Sequence, residues 1–167
     1  MQVLIEKLDH SGNGISYHNG KIIFIPKAIP GDILDIEITN SYKKYDIGKI
    51  KKIIKSSDKL IAPKCPYYYT CGGCNISNLS YQEQLKFKQD KIINIFKKYL
   101  NKDIAPKVLG SKKAFEYRNK ITYHVSNGLI GLVDIDNNFL KIDKCLLVSP
   151  KVNELVLLLQ KEDLSKV

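Results

Sequence analysis

A chain of 167 residues, 44% of them apolar, is long enough for one ordinary domain or two small ones and apolar enough to bury a core. No apolar run approaches the roughly eighteen residues needed to cross a bilayer, and no repeat or low-complexity tract appears, so a soluble globular protein without membrane association is expected. The formal net charge of +10 favours a polyanion as partner, and nucleic acid is the commonest polyanion for a soluble protein.

The first sixty residues read as short strands over 3–8, 14–17, 21–25, 33–39 and 46–54. Ser11-Gly12-Asn13-Gly14, His18-Asn19-Gly20 and Pro30-Gly31-Asp32 carry the turn chemistry between them. Five such strands suit a small barrel of the oligonucleotide-binding type, assigned to residues 1–58. The opening residues, Met1-Gln2-Val3-Leu4-Ile5-Glu6-Lys7, lack an apolar run with a small-residue cleavage site. A cytoplasmic, reducing setting is therefore expected.

Residues 59–80 hold three of the four cysteines: Cys65, then Cys71-Gly72-Gly73-Cys74, with Cys145 some seventy positions on. Thiolates repel one another and need a cation to gather them, while adjacent glycines let the backbone turn tightly and offer N–H groups to sulfur. A disulfide framework is the alternative, but in a reducing compartment cysteines so spaced are more often metal ligands. Structural zinc usually takes two Cys-x2-Cys pairs; one pair, a third cysteine across a five-residue spacer and a distant fourth lie nearer to three-plus-one iron–sulfur ligation. His10, His18 and His124 do not stand at ligand spacing from the cluster and read as ordinary strand or turn histidines. Tyr67, Tyr68 and Tyr69 suit packing around the cysteines better than stacking on bases.

Ser80 followed by Glu83 forms a capping box, and residues 81–100 carry a helical stripe of Tyr81, Leu85, Ile92, Phe96 and Tyr99 that is expected to pack. The opposite face shows Lys86, Lys91, Lys97 and Lys98. A connector leads to a strand over 115–125, a two-residue hairpin turn at Asn127-Gly128, and strands over 129–135 and 139–142 that bring Cys145 just past a strand end. Ser149 as N-cap and Pro150 at the first helical position open a last helix running to about residue 160. Residues 81–167 thus form the remainder of an α+β chain.

Charge is unevenly placed: +3 over residues 1–60, +1 over 61–80, +7 over 81–120 and −1 over 121–167. The basic segment directly follows the cysteine cluster. Of 27 basic residues only Arg118 is arginine, and a lysine-rich chain keeps a guanidinium where a bidentate grip on phosphate, carboxylate or a base edge is required. Pairing of Arg118 with a neighbour such as Glu116 is the structural alternative.

Three stretches together resemble the S-adenosylmethionine-dependent RNA uracil-C5 methyltransferases that carry an N-terminal TRAM domain. Gly12-Asn13-Gly14, the run from Gly20 to Pro26, and Ala28-Ile29-Pro30-Gly31-Asp32 are similar to the TRAM pattern. Pro63-x-Cys65-Pro66 through Cys71-Gly72-Gly73-Cys74, with Leu79-Ser80-Tyr81-x-x-Gln84-Leu85-x-x-Lys88, resembles the family's iron–sulfur segment. Tyr117-Arg118-Asn119-Lys120 and Cys145 resemble its central domain.

The resemblance implies a structural [4Fe-4S] cluster on Cys65, Cys71, Cys74 and Cys145, and a uridine of ribosomal or transfer RNA as target. RNA contacts would fall on Arg118, Lys120, Lys86 and Lys91. It also implies a fragment, because the family's S-adenosylmethionine domain, nucleophilic cysteine and general base come later. Attack on C6 of uracil needs a free thiolate, and all four cysteines here are assigned to metal. No activity is expected of this chain alone, and a monomer, or part of a longer chain, is expected. A stand-alone RNA-binding module holding iron–sulfur or zinc is the rival reading. A radical S-adenosylmethionine enzyme fits less well, since its three-cysteine motif has spacers of three and two.

Overall fold

Alternation along residues 21–25 sets the first layer: Ile23 and Ile25 are 1% and 0% exposed while Ile22 and Phe24 stay half-buried on the other face. In the computed structural model, which describes residues 1–162, six strands follow: β1 (Gln2–Leu4), β2 (Lys7–Leu8), β3 (Gly14–His18), β4 (Lys21–Ile25), β5 (Ile33–Ser41) and β6 (Tyr45–Lys55). They form one sheet in the order β1-β5-β6-β4-β3-β2, antiparallel except where β4 runs parallel to β6. The count is six rather than five because the run over 3–8 breaks at Ile5 and Glu6. Their N–H groups donate instead to Asp32 O and Ile15 O, both at 2.9 Å.

Val3 and Ile5, at one end of the sheet order, share a core with Ile23, Ile25, Ala28, Leu34 and Ile36, so the sheet curls on itself. A Cβ at Gly48 would lie 2.9 Å from Ile36 Cδ1, and only glycine lets β6 approach this core. The turn at Pro30-Gly31-Asp32 closes one end. Gly31 sits at φ +94°, and the buried Asp32 carboxylate accepts from Ile29 N–H (3.0 Å) and Ser57 N–H (2.8 Å). Ser57 Oγ donates to Pro30 O at 2.7 Å.

The chain divides into two spatial units. The first joins Met1–Pro63 to Asn75–Leu109; the second joins Lys64–Cys74 to the chain from Gly110 onward. Helix α1 (Tyr81–Leu100) belongs to the first. Its capping box forms as expected, with Ser80 Oγ accepting from Glu83 N–H at 3.3 Å, and Asn101 ends it in the left-handed conformation. The expected packing stripe is not buried: Ile92 is 40% and Tyr99 71% exposed, and no α1 residue is fully covered. Residues 83–94 instead face residues 6–10 across a cleft of about 330 Å³, spanned by polar contacts such as Lys91 Nζ to His10 O (2.8 Å).

In the second unit β7 (His124–Ser126), β8 (Leu129–Val133) and β9 (Phe139–Lys141) make an antiparallel meander. Asn127 and Gly128 sit at φ +51° and +74°, as a two-residue hairpin turn of this sequence requires. The strand expected over 115–125 shrinks to β7. Glu116 adopts φ +57°, which breaks an extended run, and the backbone of 116–118 bonds to Leu146 O, Leu147 O and Ser149 N instead. Helix α2 (Pro150–Leu159) begins at its proline as expected, although Ser149 makes no side-chain cap bond. Among the described residues no helix is long and apolar enough to cross a membrane.

Candidate functional site

All four cysteines fall in the second unit as half-buried thiols. The segment that bears three of them is shaped by local turns, Tyr68 N–H donating to Cys65 O (3.1 Å) and Cys71 N–H to Tyr67 O (2.7 Å). It docks on the β8–β9 turn through backbone bonds from Gly72 N–H to Val133 O (3.1 Å) and from Ile135 N–H to Thr70 O (3.0 Å). A Cβ on Gly72 would lie 2.8 Å from Asp134 O, so glycine is needed for this approach. Gly73 N–H points at Cys71 Sγ at 3.4 Å, the donor to sulfur expected of the glycine pair.

One clamp links the chain near Cys65 to the chain near Cys145, and a second holds Cys145 itself. Tyr67, two residues past Cys65, donates its hydroxyl to Asp143 Oδ2 at 2.7 Å, and Asp143 N–H donates back to the same oxygen at 3.2 Å. Asp143 lies two residues before Cys145. The N–H bond to its oxygen favours the phenolate, but donation to the Asp143 carboxylate, burial and the nearby charge outweigh it and hold the Tyr67 phenol above the usual value. Asn153 of α2 accepts from Cys145 N–H (3.0 Å) and donates to Cys145 O (3.1 Å), fixing the backbone of the fourth cysteine. Neither Asp143 nor Asn153 was singled out from the sequence; an amide in the first turn of a helix, eight residues after a cysteine, was the only available signal.

Of the three consecutive tyrosines only Tyr68 is buried; it meets the exposed Tyr69 edge to face with ring centroids 5.0 Å apart, and Tyr67 is held by Asp143. Tyr123 is different. Its hydroxyl is the one buried side-chain polar atom among the described residues with no hydrogen-bond partner. Burial, and after it the charge of Cys145, push its phenol above the ordinary tyrosine value. A buried donor so placed fits an acceptor that the protein itself does not supply.

Among the described residues no three His, Cys, Asp or Glu side chains converge closely enough to hold a single ion. Tetrahedral zinc draws its thiolates to about 2.3 Å from one centre, whereas a [4Fe-4S] cluster takes one thiolate per iron and spreads them around a larger body. Four thiols in one unit, beside a glycine-lined approach, are the ligand type and number that such a cluster takes.

The four lysine and arginine positions expected to meet RNA divide two and two: Lys86 and Lys91 in the first unit, Arg118 and Lys120 in the second. Lys86, Arg118 and Lys120 are exposed, while the half-buried Lys91 is engaged with His10 O. The Arg118 guanidinium makes no ion pair among the described residues, so the alternative partnership with Glu116 is not formed. Its backbone is pinned to the 147–149 segment on both sides, at 2.8 Å each.

Residues 1–51 match the TRAM domain. Over 119 residues, 70% of this chain, the sequence is 40% identical to the 23S rRNA (uracil(1939)-C(5))-methyltransferase RlmD of Psychromonas ingrahamii, covering 26% of that protein. It is 36% identical over 121 residues, 71% of this chain and 26% of the relative, to an RNA methyltransferase of Bacillus cereus. The chain spans about a quarter of the length of these curated relatives. Among solved structures, the Pyrococcus abyssi tRNA (uracil-54, C5)-methyltransferase in complex with S-adenosyl-L-homocysteine matches 96% of this chain and 36% of its own, with 27% identity and a TM-score of 0.72.

Proposed function

From a chain that carries a TRAM domain and is homologous, over its N-terminal and central region, to the 23S rRNA uracil-C5 methyltransferases, we infer an RNA-recognition role within such an enzyme. The homology across 70% of the chain, well beyond the TRAM domain, is the observation that carries this reading. Methyl transfer from S-adenosylmethionine to a uridine of ribosomal or transfer RNA belongs to the whole enzyme, and these residues supply its grip on RNA.

Cys65, Cys71, Cys74 and Cys145 would hold a structural [4Fe-4S] cluster, and a reducing cytoplasm keeps those thiols available. The cluster's role is to cross-link, as a covalent clasp would, the loop at 65–74 to the segment after β9. Gly73 N–H and the Tyr123 hydroxyl are the donors poised for its sulfurs. With its cysteines so committed, the chain holds no thiolate to attack C6 of uracil, which is why recognition rather than chemistry is assigned to it.

Exposed lysines and Arg118 would meet phosphates, so RNA affinity should fall steeply with salt, each neutralised phosphate of a single strand adding about −0.7 to the slope of log affinity against log salt. Arg118→Ala should weaken binding by about 1–3 kcal/mol if the guanidinium reads a base edge. Titration of a labelled rRNA fragment at several salt concentrations decides this. A salt-independent affinity, or none for RNA, would sink the reading.

A further inference from the structure

The solvent-facing side of the first unit's sheet carries rings where a bare surface would carry charge. Because Ile23 and Ile25 point into the core, Ile22 and Phe24 point outward, and the register sets Tyr17, Ile22 and Tyr45 in one row across β3, β4 and β6, with the half-buried Phe24 and Ile47 and the covered Ile15 in the next. Tyr17, Tyr42 and Tyr45 are 41%, 47% and 36% exposed. Tyr42 and Tyr45 stack with centroids 4.7 Å apart and planes at 27°, and Phe24 meets Tyr45 edge-on at 5.5 Å.

The stack is held at the tip of the β5–β6 hairpin. Residues 37–45 are all exposed, and Tyr42 N–H donates to Tyr45 O at 2.9 Å, closing a turn whose two central residues are the exposed Lys43 and Lys44. Lys7 Nζ stands 5.7 Å from the centre of the Tyr17 ring. Lys21 is not available to a ligand in the same way: it bonds Asp46 at 2.6 Å, and that bond, seconded by Ser41, holds the Asp46 carboxyl below its usual range. The cationic groups beside the rings are therefore Lys7, Lys43 and Lys44.

We propose that this outer face, with the Tyr42–Tyr45 stack at its tip and Tyr17 at its far edge, is a base-stacking platform for single-stranded RNA. Every base has a π-face, so exposed rings beside lysines bind a strand with little regard to sequence, while the lysines track its phosphates. Cationic lysines at both ends favour a polyanion over an apolar protein surface as the occupant. The proposal deepens the RNA-recognition reading and rests on it.

The test uses the full 167-residue chain and a labelled, unstructured uridine-rich RNA. Tyr42→Ala with Tyr45→Ala should weaken binding about 5- to 30-fold while leaving the salt slope unchanged, and the double phenylalanine variant should bind like the native chain. Lys43→Ala with Lys44→Ala should instead reduce the slope by about 1.4. Photo-cross-linking of native protein to 4-thiouridine-containing RNA, read by peptide mapping, needs no variant and should mark residues 42–45. Native affinity in the double alanine variant, or cross-links confined to other segments, overturns the platform and leaves the broader reading intact. Failure of the native chain to bind any RNA overturns both.

Discussion

Replacing Asp32 with alanine is expected to destabilise the first unit by about 3 kcal/mol, measured by urea unfolding. The carboxylate is 2% exposed and is the acceptor for two backbone N–H groups, those of Ile29 and Ser57, which come from segments twenty-eight positions apart. Removing it leaves both donors buried and unmet, and hydrogen bonds to a charged group are worth about 1.5–3 kcal/mol each in such settings. Asp32→Asn keeps one acceptor oxygen and should recover part of the loss. A cost under about 1 kcal/mol for the alanine variant would show that water replaces the carboxylate and that this turn is not what closes the sheet.

Cys145→Ser is expected to leave the anaerobically purified chain almost free of iron and of visible absorbance, where the native chain is expected to carry about four irons. Loss of one ligand detaches the segment after β9 from the loop at 65–74, and the Tyr67–Asp143 clamp alone, a pair of hydrogen bonds, is a weak substitute. Tyr123→Phe should behave differently. It should keep the iron but remove the unpartnered buried donor, so a cluster that this hydroxyl hydrogen-bonds should move to a more negative reduction potential, since hydrogen bonds to sulfur stabilise the more reduced, more negative state. Stoichiometric zinc in place of iron in the native chain would reject the cluster while sparing the RNA assignment. An unchanged potential in Tyr123→Phe would remove the phenol from any part in it.

Local rules carried much of this fold into the sequence. Asn127-Gly128 announces its hairpin because two successive positive φ values tolerate few other pairs, and Ser80 with Glu83 announces α1 because helix N-termini need their donors met. Long-range commitments were illegible. Nothing local to Ile5 and Glu6 says that their N–H groups will leave the ladder for Asp32 and Ile15, so one strand became two. Glu116 gives no hint of its left-handed backbone, which cancels most of the expected strand over 115–125.

The same division holds at the site. The clustering of three cysteines about a glycine pair could be read from the sequence, because thiol chemistry constrains residue types directly. Asp143 and Asn153 could not, since they act on backbone groups and on a tyrosine through bonds spanning 8 to 76 positions. The periodicity of α1 misled for a related reason: a stripe of Leu85, Ile92, Phe96 and Tyr99 states which side is apolar, not whether anything covers it.

The division of the chain into interleaved units bears on how it is made. Residues 64–74 belong with the chain from 110 onward, so a nascent polypeptide emerging from the ribosome presents three thiols well before the meander and the fourth sulfur that complete their surroundings. At about 5–20 residues per second, the seventy or so positions between Cys74 and Cys145 take on the order of 4–14 s to synthesise. For that interval the loop's three cysteines exist without the fourth, so a centre of the kind proposed could be completed only once Cys145 has emerged.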